Sequence, residues 1–362
     1  MHRSIRLVIG IAASLLGLAL VVGFGSAAAF TYFNSFPTDF SSGALSETEG
    51  ITPENGDALY PALRFEVRRG ESAQSVGQRL ADSALIRSRY FWQLVCRMDK
   101  EFIKSGVYRI ELPATTIAIH QILISGKQLL LRVTVPEGFT LKKTAGLMEE
   151  TGICGREEFL EAAFDPAMTG RYRIPGESME GYLYPDTYFF PSGYPAEKVV
   201  ETMADTFFAR IAEIDGNTAS MSPDELNRLV VLASIVEREY LIGEEAPVMA
   251  GVFQNRLGIG MALQSCATVV YIITEVEGKP HPEILSAKDL EIRNPYNTYM
   301  RPGLPPGPIS SPGAVALRAA LFPSKSNYLY FRLVDQASGK HYFSGTLDDH
   351  IKAGKLYVKG GS

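Results

Sequence analysis

The residues best placed to do chemistry in this 362-residue chain are two glutamates at the end of an apolar segment. Residues Leu229 to Val236 are apolar on nearly every side, which is typical of a helix buried in the centre of a domain. Glu237 and Glu239 follow, and at about 100° per residue their side chains point in different directions, so at most one faces a given cleft. Glu239 lies one turn beyond Ile235, where an apolar setting would raise the pKa of its carboxyl and keep it protonated as a general acid. The alternative is that both glutamates are solvated charges at a helix end.

Composition and residue spacing exclude several other classes of protein. The chain has 35 Lys and Arg against 40 Asp and Glu, a net charge of −5, so it lacks the basic excess of a nucleic-acid-binding protein. Its 3 cysteines form no Cys-x-x-Cys pair and its 5 histidines are scattered, which indicates neither a disulfide framework nor a zinc site. No Gly-x-Ser-x-Gly elbow or phosphate-binding glycine loop stands in a suitable context. We therefore expect no metal, no cofactor and no nucleic-acid partner.

Several further motifs accompany the glutamates. The first is Glu-Gly-Tyr-Leu-Tyr-Pro-Asp-Thr-Tyr at 180–188, and the apolar segment itself ends in Ile-Val-Glu-Arg-Glu at 235–239. The others are Val-Phe-Gln-Asn-Arg-Leu at 252–257, Met-Ala-Leu-Gln at 261–264, Asn-Pro-Tyr-Asn-Thr-Tyr at 294–299, Gly-Leu-Pro-Pro-Gly-Pro-Ile at 303–309 and Tyr-Leu-Tyr-Phe at 328–331. With these motifs, the chain closely resembles the endolytic murein transglycosylase family, also called YceG-like, over roughly residues 60 to 350.

The resemblance implies a membrane-anchored enzyme that cuts nascent peptidoglycan strands internally and limits glycan length. It makes Glu239, the second glutamate of the Ile-Val-Glu-Arg-Glu segment, the catalytic residue. Protonated Glu239 would donate to the glycosidic oxygen after N-acetylmuramic acid. As a carboxylate it would then take the proton of that sugar's C6 hydroxyl, which closes a 1,6-anhydro ring without water. The expected partners are peptidoglycan strands, the cytoplasmic membrane and wall-synthesis proteins.

The resemblance also implies polar side chains that orient the sugar ring or stabilise developing charge. The expected substrate-binding residues are Asn255, Gln264, Ser265, Tyr296, Asn297 and Tyr299. For Tyr and Asn residues in a proline-rich loop, hydrogen bonds to their own backbone are the alternative.

The chain departs from the family's pattern beside these residues. Family members usually carry Thr-Asp-Pro after the Leu-Gln pair, whereas this chain has Ser265-Cys266-Ala267, and Tyr240 stands where a small hydroxyl residue commonly follows the catalytic Glu. If the missing Asp orients Gln264 or the substrate, activity is weakened. Two alternatives stay open: a hydrolytic muramidase, and a catalytically silent wall-binding or division scaffold. The Cys266 thiol is expected to be buried and inert.

The pattern of the first thirty residues predicts the cellular compartment of the protein. Leu7 to Phe30 is an uncharged stretch of 24 residues, long enough as a helix to cross a hydrocarbon core of ~30 Å. Arg3 and Arg6 precede it, so the positive-inside tendency leaves a short cytoplasmic stub and places the rest outside the cytoplasmic (inner) membrane. A cleaved signal peptide is the alternative, because Ala27 to Ala29 resembles a small-residue cleavage site. We expect a stub and anchor over residues 1–32 and a flexible tether over 33–60.

A repeat with an offset of 68 positions follows the tether, aligning residues 67–72 with 135–140. In each copy, the residue pattern predicts a short strand, a glycine turn, a Ser or Thr helix cap and two helices. In the first copy, a return strand over 106–110 completes a β-α-α-β unit that resembles a LysM-like, glycan-binding module.

The chain is thus predicted to be an α+β protein with a transmembrane helix. Its expected domains are a LysM-like domain over 61–130, a second β-α-α repeat with its connection over 131–195, and a mainly helical catalytic domain with small β elements over 196–362. Ser222-Pro223-Asp224-Glu225 is a strong helix start, and the central helix is predicted to run from there to Tyr240.

Overall fold

The computed structural model describes residues 22–38, 40, 51–53, 62–99 and 101–357. The chain divides into two compact units, Met1–Leu130 and Leu131–Ser362. Each unit has a hydrophobic core of its own. Within the described residues both units combine helices with small sheets of two or three strands, which confirms the mixed α and β composition.

The first unit packs helices against a three-stranded antiparallel sheet of order β1-β2-β3. Its elements are α1 (22–34), β1 (Ile51–Pro53), β2 (Ala62–Val67), α2 (Ala73–Asp82), α3 (Arg89–Met98), β3 (Gly106–Glu111) and α4 (Thr116–Ser125). The register places Phe65 of β2 opposite Tyr108 of β3, and both side chains are fully buried. The return strand therefore lies where the sequence predicts it.

The predicted repeat is visible in the backbone. β2, α2 and α3 correspond to β4 (Leu130–Thr134), α5 (Leu141–Glu150) and α6 (Arg156–Ala163). Both copies turn at a glycine in the left-handed region, Gly70 at φ 77° and Gly138 at φ 73°. The side chains of Ser72 and Thr140 then accept the capping hydrogen bonds of α2 and α5. The likeness of the first copy to a LysM module stays a prediction.

The second unit is built around one continuous core that runs from β4 to the last core helix, α12. After α6 come α7 (Pro166–Arg171), β5 (Thr187–Pro191), α8 (Ala196–Ile214), α9 (Pro223–Glu237), α10 (Ala246–Gly258), α11 (Cys266–Tyr271), a π-helical turn (Ile272–Val276), α12 (Ala314–Leu321), β6 (Tyr330–Asp335), β7 (Lys340–Ser344) and α13 (Leu347–Tyr357). Buried side chains of 131–195, such as Met148 and Phe159, belong to the same core as Phe207 and Val231. The expected boundary at 195/196 is therefore not a boundary of the core, because the second repeat has no separate core of its own.

The central helix, α9, begins where the sequence predicts and ends earlier. The Ser222 hydroxyl accepts from the Glu225 N–H, and the Glu225 carboxylate accepts from the Ser222 N–H at 2.8 Å, which forms a capping box. Residues Val230 to Val236 are all buried, as expected for a helix that is apolar on every side. The helix stops at Glu237, so Glu239 lies in the turn that follows rather than on the helix.

The N-terminal predictions fall partly outside the described residues. Most of the predicted anchor lies in residues 1–21, which the structure does not describe. Among the described residues, no helix combines the length and the apolar character needed to cross a membrane. The expected tether over 33–60 is in part folded: β1 pairs with β2, and the Arg87 guanidinium donates to the Ser35 hydroxyl and the Phe36 carbonyl, both at 3.1 Å.

Candidate active site

The Glu239 carboxyl lies just beyond the end of α9 and is held by hydrogen bonds from one short segment. Its Oε1 accepts from the Ser265 hydroxyl, and the carboxyl also accepts from the Ala267 N–H. Burial raises the pKa of Glu239 above its ordinary value near 4.5, and these hydrogen bonds oppose the rise. The carboxyl is therefore suited to hold a proton and give it up as a general acid, as the apolar setting predicts.

The segment before α11 aims Ser265 at this carboxyl. The Ser265 N–H donates to the Thr298 hydroxyl at 3.0 Å, and the Ser265 carbonyl accepts from the Thr268 hydroxyl at 2.8 Å. Gln264 adopts φ 52°, in the left-handed region that non-glycine residues rarely enter. This sharp turn buries the Ser265 side chain and leaves that of Gln264 exposed beside it. Gln264 is thus free to contact a ligand.

Arg256 is a buried cation near Glu239 that the sequence analysis did not single out. Its Nε donates to the Leu329 carbonyl at 2.6 Å and its Nη1 to the Leu263 carbonyl at 2.5 Å. Burial lowers the pKa of Arg256, and the nearby Glu239 and tyrosine hydroxyls counteract that effect. The sequence signal for its burial is its position on the helix. Arg256 lies three and four residues after Phe253 and Val252, on the buried face of α10.

Tyr299 and Cys266 line the open side of the site. The Tyr299 hydroxyl lies 3.0 Å from the Cys266 sulfur, and the charges of Glu239 and Arg256 both act on it. Cys266 is exposed, so the expectation of a buried thiol is wrong. The reason is the turn at Gln264, after which Ser265 is buried and the next residue faces outward.

Asn297 has a structural role in place of the predicted substrate contact. It is fully buried, and its Nδ2 donates to the carbonyls of Leu290 and Ile292 at 2.9 and 2.8 Å. Its Oδ1 accepts from the Tyr299 N–H at 2.9 Å. The amide is thus committed to shaping the loop that carries Tyr299, which is the backbone-bonding alternative that the sequence left open.

Asn255 and Tyr296 are likewise engaged within the protein. The Asn255 Nδ2 donates to the carbonyls of Ser326 and Tyr328 at 2.8 and 2.9 Å, which fixes the loop before β6. The Tyr296 ring packs on that of Tyr271 with 5.0 Å between centroids, and its hydroxyl approaches Gly307. Of the predicted residues, the structure thus brings Ser265 and Tyr299 close to Glu239, with Gln264 alongside.

Glu237 serves a different part of the fold from Glu239. Its Oε2 accepts from the Gly313 N–H at 2.9 Å, and its Oε1 accepts from the Tyr240 hydroxyl at 3.3 Å. Burial raises the pKa of Glu237 to about 7. The two glutamates therefore face separate partners, as predicted, although Glu239 lies in the turn after α9 and not on the helix.

Glu180, in the Glu-Gly-Tyr motif, is a third carboxyl that the structure shows to be buried. Its oxygens accept from the Leu141 N–H at 3.2 and 3.3 Å, at the N-terminus of α5. Burial raises the pKa of Glu180 to about 8. The next residue, Gly181, has φ 82° and lies so close to Pro308 that a Cβ there would come within 2.4 Å of it. This close approach joins two of the sequence motifs and explains the glycine.

Of the buried carboxyls, Glu239 is the one beside the exposed Gln264 and Cys266 side chains, and this arrangement supports proton exchange between its carboxyl and a ligand. In the part of the chain that the structure describes, no group of three or more His, Cys, Asp or Glu side chains could hold a metal ion.

Comparison with known proteins identifies relatives along most of the chain. A family model described as the YceG-like family matches residues 65–355. The chain is 29% identical over 320 residues to an endolytic murein transglycosylase of Bacillus subtilis, covering 82% of this chain and 85% of that protein. It is 27% identical over 315 residues to an endolytic murein transglycosylase of Streptococcus pneumoniae, covering 78% of this chain and 56% of that longer protein.

A solved structure resembles the fold as well. The crystal structure of a YceG-like protein from Listeria monocytogenes matches with a TM-score of 0.54 and 31% sequence identity, over 81% of this chain and 99% of that one.

Proposed function

Because the chain belongs to the YceG-like family, we propose that it is an endolytic murein transglycosylase, the name that two of its relatives carry. The observation that supports this most is the environment of Glu239. One carboxyl sits on the turn after the central buried helix, its pKa is raised by burial, and two hydrogen-bond donors from the Ser265 segment hold it. A residue that must first donate a proton and then accept one needs such an environment.

The proposed reaction uses Glu239 twice. The protonated carboxyl donates to the oxygen that joins N-acetylmuramic acid to N-acetylglucosamine, and the C1–O bond breaks as positive charge develops at C1. The resulting carboxylate, stabilised by the Ser265 hydroxyl and the Ala267 N–H, takes the proton of the C6 hydroxyl. The C6 oxygen bonds to C1, so the products are a 1,6-anhydro-muramyl end and a free N-acetylglucosamine end.

Ser265, Gln264 and Tyr299 are the residues we assign to the substrate's surroundings. Gln264 is exposed beside the carboxyl, and the Tyr299 hydroxyl lies on its open side. Arg256 holds the Leu263 carbonyl, so it positions the segment that carries Gln264 and Ser265.

Within the described residues, Glu239 is the one carboxyl bonded to the Ser265 segment, which favours the transglycosylase reaction over hydrolysis. Glycosidases that use water commonly rely on a pair of carboxyl groups flanking the scissile bond. Glu237, the last residue of α9, accepts hydrogen bonds from the Gly313 N–H and the Tyr240 hydroxyl, and Ser265 is not among its partners. The intramolecular reaction needs only Glu239.

We further propose that the protein is anchored in the cytoplasmic membrane, with both units on the outer side. The uncharged stretch from Leu7 to Phe30 and the preceding Arg3 and Arg6 support this orientation. Nascent peptidoglycan strands would then be within reach, and wall-synthesis proteins are the expected neighbours.

Mass spectrometry of digested peptidoglycan tests the proposal. The full chain, Glu239→Gln and Glu237→Gln are each incubated with purified strands in detergent. We expect anhydro-muramyl ends from the wild type and from Glu237→Gln, which can still accept from the Gly313 N–H, and at least a 100-fold loss in Glu239→Gln.

Other products would contradict the proposal in distinct ways. Reducing ends in place of anhydro ends would identify a hydrolytic muramidase. Intact strands from a folded wild type that still binds them would identify a wall-binding scaffold.

A further inference from the structure

A groove of about 540 Å³ opens on the surface of the second unit, between α5, the start of α6 and the π-helical turn. Phe139, Lys143, Leu147 and Arg156 are among the residues that line it. We call it the basic groove. The mechanism proposed above assigns it no role.

The basic groove lies close to the residues that hold the Glu239 carboxyl. A smaller pocket shares Lys143 and Thr274 with the groove and is lined at its other end by Arg238 and Ala267. Ala267 is the residue whose N–H donates to the Glu239 carboxyl. The smaller pocket has a volume of about 10 Å³, room for about one water molecule, so the groove opens at the surface close to the residues that hold Glu239.

The joint lining of the groove and the smaller pocket is dominated by positive charge, although the chain as a whole carries a net charge of −5. Its ionic residues are four cations and two carboxylates: Lys142, Lys143, Arg156 and Arg238 against Glu150 and Glu275. The Lys143 ammonium lies 5.9 Å from the centroid of the Phe139 ring. Within the described part of the chain, neither Lys143 nor Arg156 has a carboxylate ion-pair partner. Both cations are available to an anion from outside.

The positions of these cations oppose helix stability. Lys142 and Lys143 occupy the first turn of α5, which contains no acidic residue, and Arg156 is the first residue of α6. The helix dipole disfavours a cation at an N-terminus by roughly 0.3–1 kcal/mol. Three cations placed where the helices do not favour them indicate a role in binding.

We propose that the basic groove binds the carboxylates of the peptide stems that muramyl residues carry, so that the enzyme prefers peptide-bearing strands to bare glycan. The inference rests on the proposed function, since it takes the muramyl residue next to the cleaved bond to lie at Glu239. The lactyl group of that sugar projects its peptide away from the glycan, and the basic groove is the open surface of about 540 Å³ beside this position that receives it. Phe139 and Leu147 offer apolar contact to the methyl groups of the stem.

Binding measured in a Glu239→Gln background tests the groove apart from cleavage. The full chain is titrated with peptide-bearing strands and with strands from which an amidase has removed the stems. We compare the parent with Lys143→Gln/Arg156→Gln, and use Arg228→Gln/Lys325→Gln as the matched control, since both of those residues are exposed and lie outside the groove.

We expect the parent to bind peptide-bearing strands at least about 10-fold more tightly than stripped strands. The groove variant should lose most of that preference, and the control variant should keep it. Added salt should reduce the preference, because the contacts are between charges.

Four results decide the two proposals: three overturn the groove, and the fourth separates it from the catalytic proposal. Equal affinity of the parent for both kinds of strand, or an unchanged preference in the groove variant, overturns the groove. Failure to bind either kind of strand overturns it too. A peptide preference that Lys143→Gln/Arg156→Gln abolishes, in a chain whose wild type releases no anhydro ends, keeps the groove and overturns the catalytic proposal.

Discussion

At the scale of single residues, the Glu239 carboxyl is subject to two opposing influences. Burial beside the end of α9 raises its pKa, while the Ser265 hydroxyl and the Ala267 N–H stabilise the charged form and lower it. A group that must act as an acid and then as a base benefits from both. The balance between them sets the pH range of activity.

This balance predicts the pH profile of the enzyme. The acid form of Glu239 is present below its pKa, so kcat/KM should be high at acidic pH and fall as the pH rises through that pKa. Because the pKa is raised, the fall should come at higher pH than for an ordinary glutamate. Rates of anhydro-product release from roughly pH 4 to 9 measure it.

Ser265→Ala should move that profile in a defined direction. Loss of the hydroxyl that stabilises the carboxylate raises the pKa of Glu239 further, so the alkaline fall should shift to higher pH, and kcat/KM should drop on the order of 10-fold. Ser338→Ala, in the turn between β6 and β7, is the control. An unchanged profile in Ser265→Ala would show that the hydroxyl does not act on the reacting carboxyl.

The sequence predicted part of the site because burial of one residue follows from its neighbours along a helix. Glu239 follows an apolar helix, and its raised pKa could be anticipated. The roles of Asn255 and Asn297 could not, since an amide serves a ligand or a distant backbone carbonyl equally well. Which one it meets is decided by loops that fold against it from elsewhere in the chain.

At the scale of elements, Glu180 ties the start of α5 to the Glu-Gly-Tyr segment and makes stability depend on pH. Its folded pKa is raised to about 8 from an ordinary value near 4.5. The stability it contributes is therefore fully present below pH 4.5 and is lost as the pH rises through about 8. The total loss is on the order of 5 kcal/mol.

Glu180→Gln should flatten this dependence. A glutamine keeps an acceptor for the Leu141 N–H and never takes a charge, so the variant should match the wild type near pH 5 and exceed its free energy of unfolding near pH 9. Denaturant titrations at the two pH values measure the difference. Glu177→Gln, at an exposed neighbouring position, should follow the wild type, and a Glu180→Gln curve parallel to the wild type would contradict the assignment.

The close contact between Gly181 and Pro308 predicts a second effect on stability, at the place where the segments carrying these two residues meet. Gly181→Ala combines an unfavourable positive φ with a Cβ only 2.4 Å from Pro308, so it should reduce the free energy of unfolding by about 2–3 kcal/mol. Gly176→Ala, whose added Cβ would meet nothing nearer than 3.9 Å, should be close to neutral. Thermal unfolding of the two variants compares them directly.

The elements themselves were largely predictable, and their grouping was not. The caps at Ser72, Thr140 and Ser222 and the turn glycines are local signals that specify where helices begin. The sharing of one core between residues 131–195 and the helices α8 and α9 depends on packing between distant segments, such as α6 with α8. A pattern read within short windows does not contain that information.

At the scale of the whole molecule, the two separate cores allow the unfolding of the first unit to be distinguished from that of the second. The single tryptophan, Trp92, is fully buried in the first unit, and its Nε1 donates to the Ala73 carbonyl at 2.8 Å. Its fluorescence should report that unit alone, whereas far-UV circular dichroism reports the helices of both.

Core substitutions should therefore separate the two signals. Phe207→Ala, in the core of the second unit, should cost about 3–5 kcal/mol and lower the dichroism transition while the Trp92 fluorescence midpoint stays in place. Leu80→Ala, in the first core, should lower the fluorescence midpoint. Midpoints that move together in both variants would mean that the chain unfolds as one cooperative unit.

The exposed thiol of Cys266 makes the site open to covalent inhibition. Burial raises the pKa of the Cys96 and Cys154 thiols to about 11, so mild alkylating reagents should react first with Cys266. An adduct there would sit beside Ser265 and against the Tyr299 hydroxyl, on the open side of the cleft. An electrophile carried by a sugar mimic would gain selectivity from a nucleophile that family members with aspartate at this position lack.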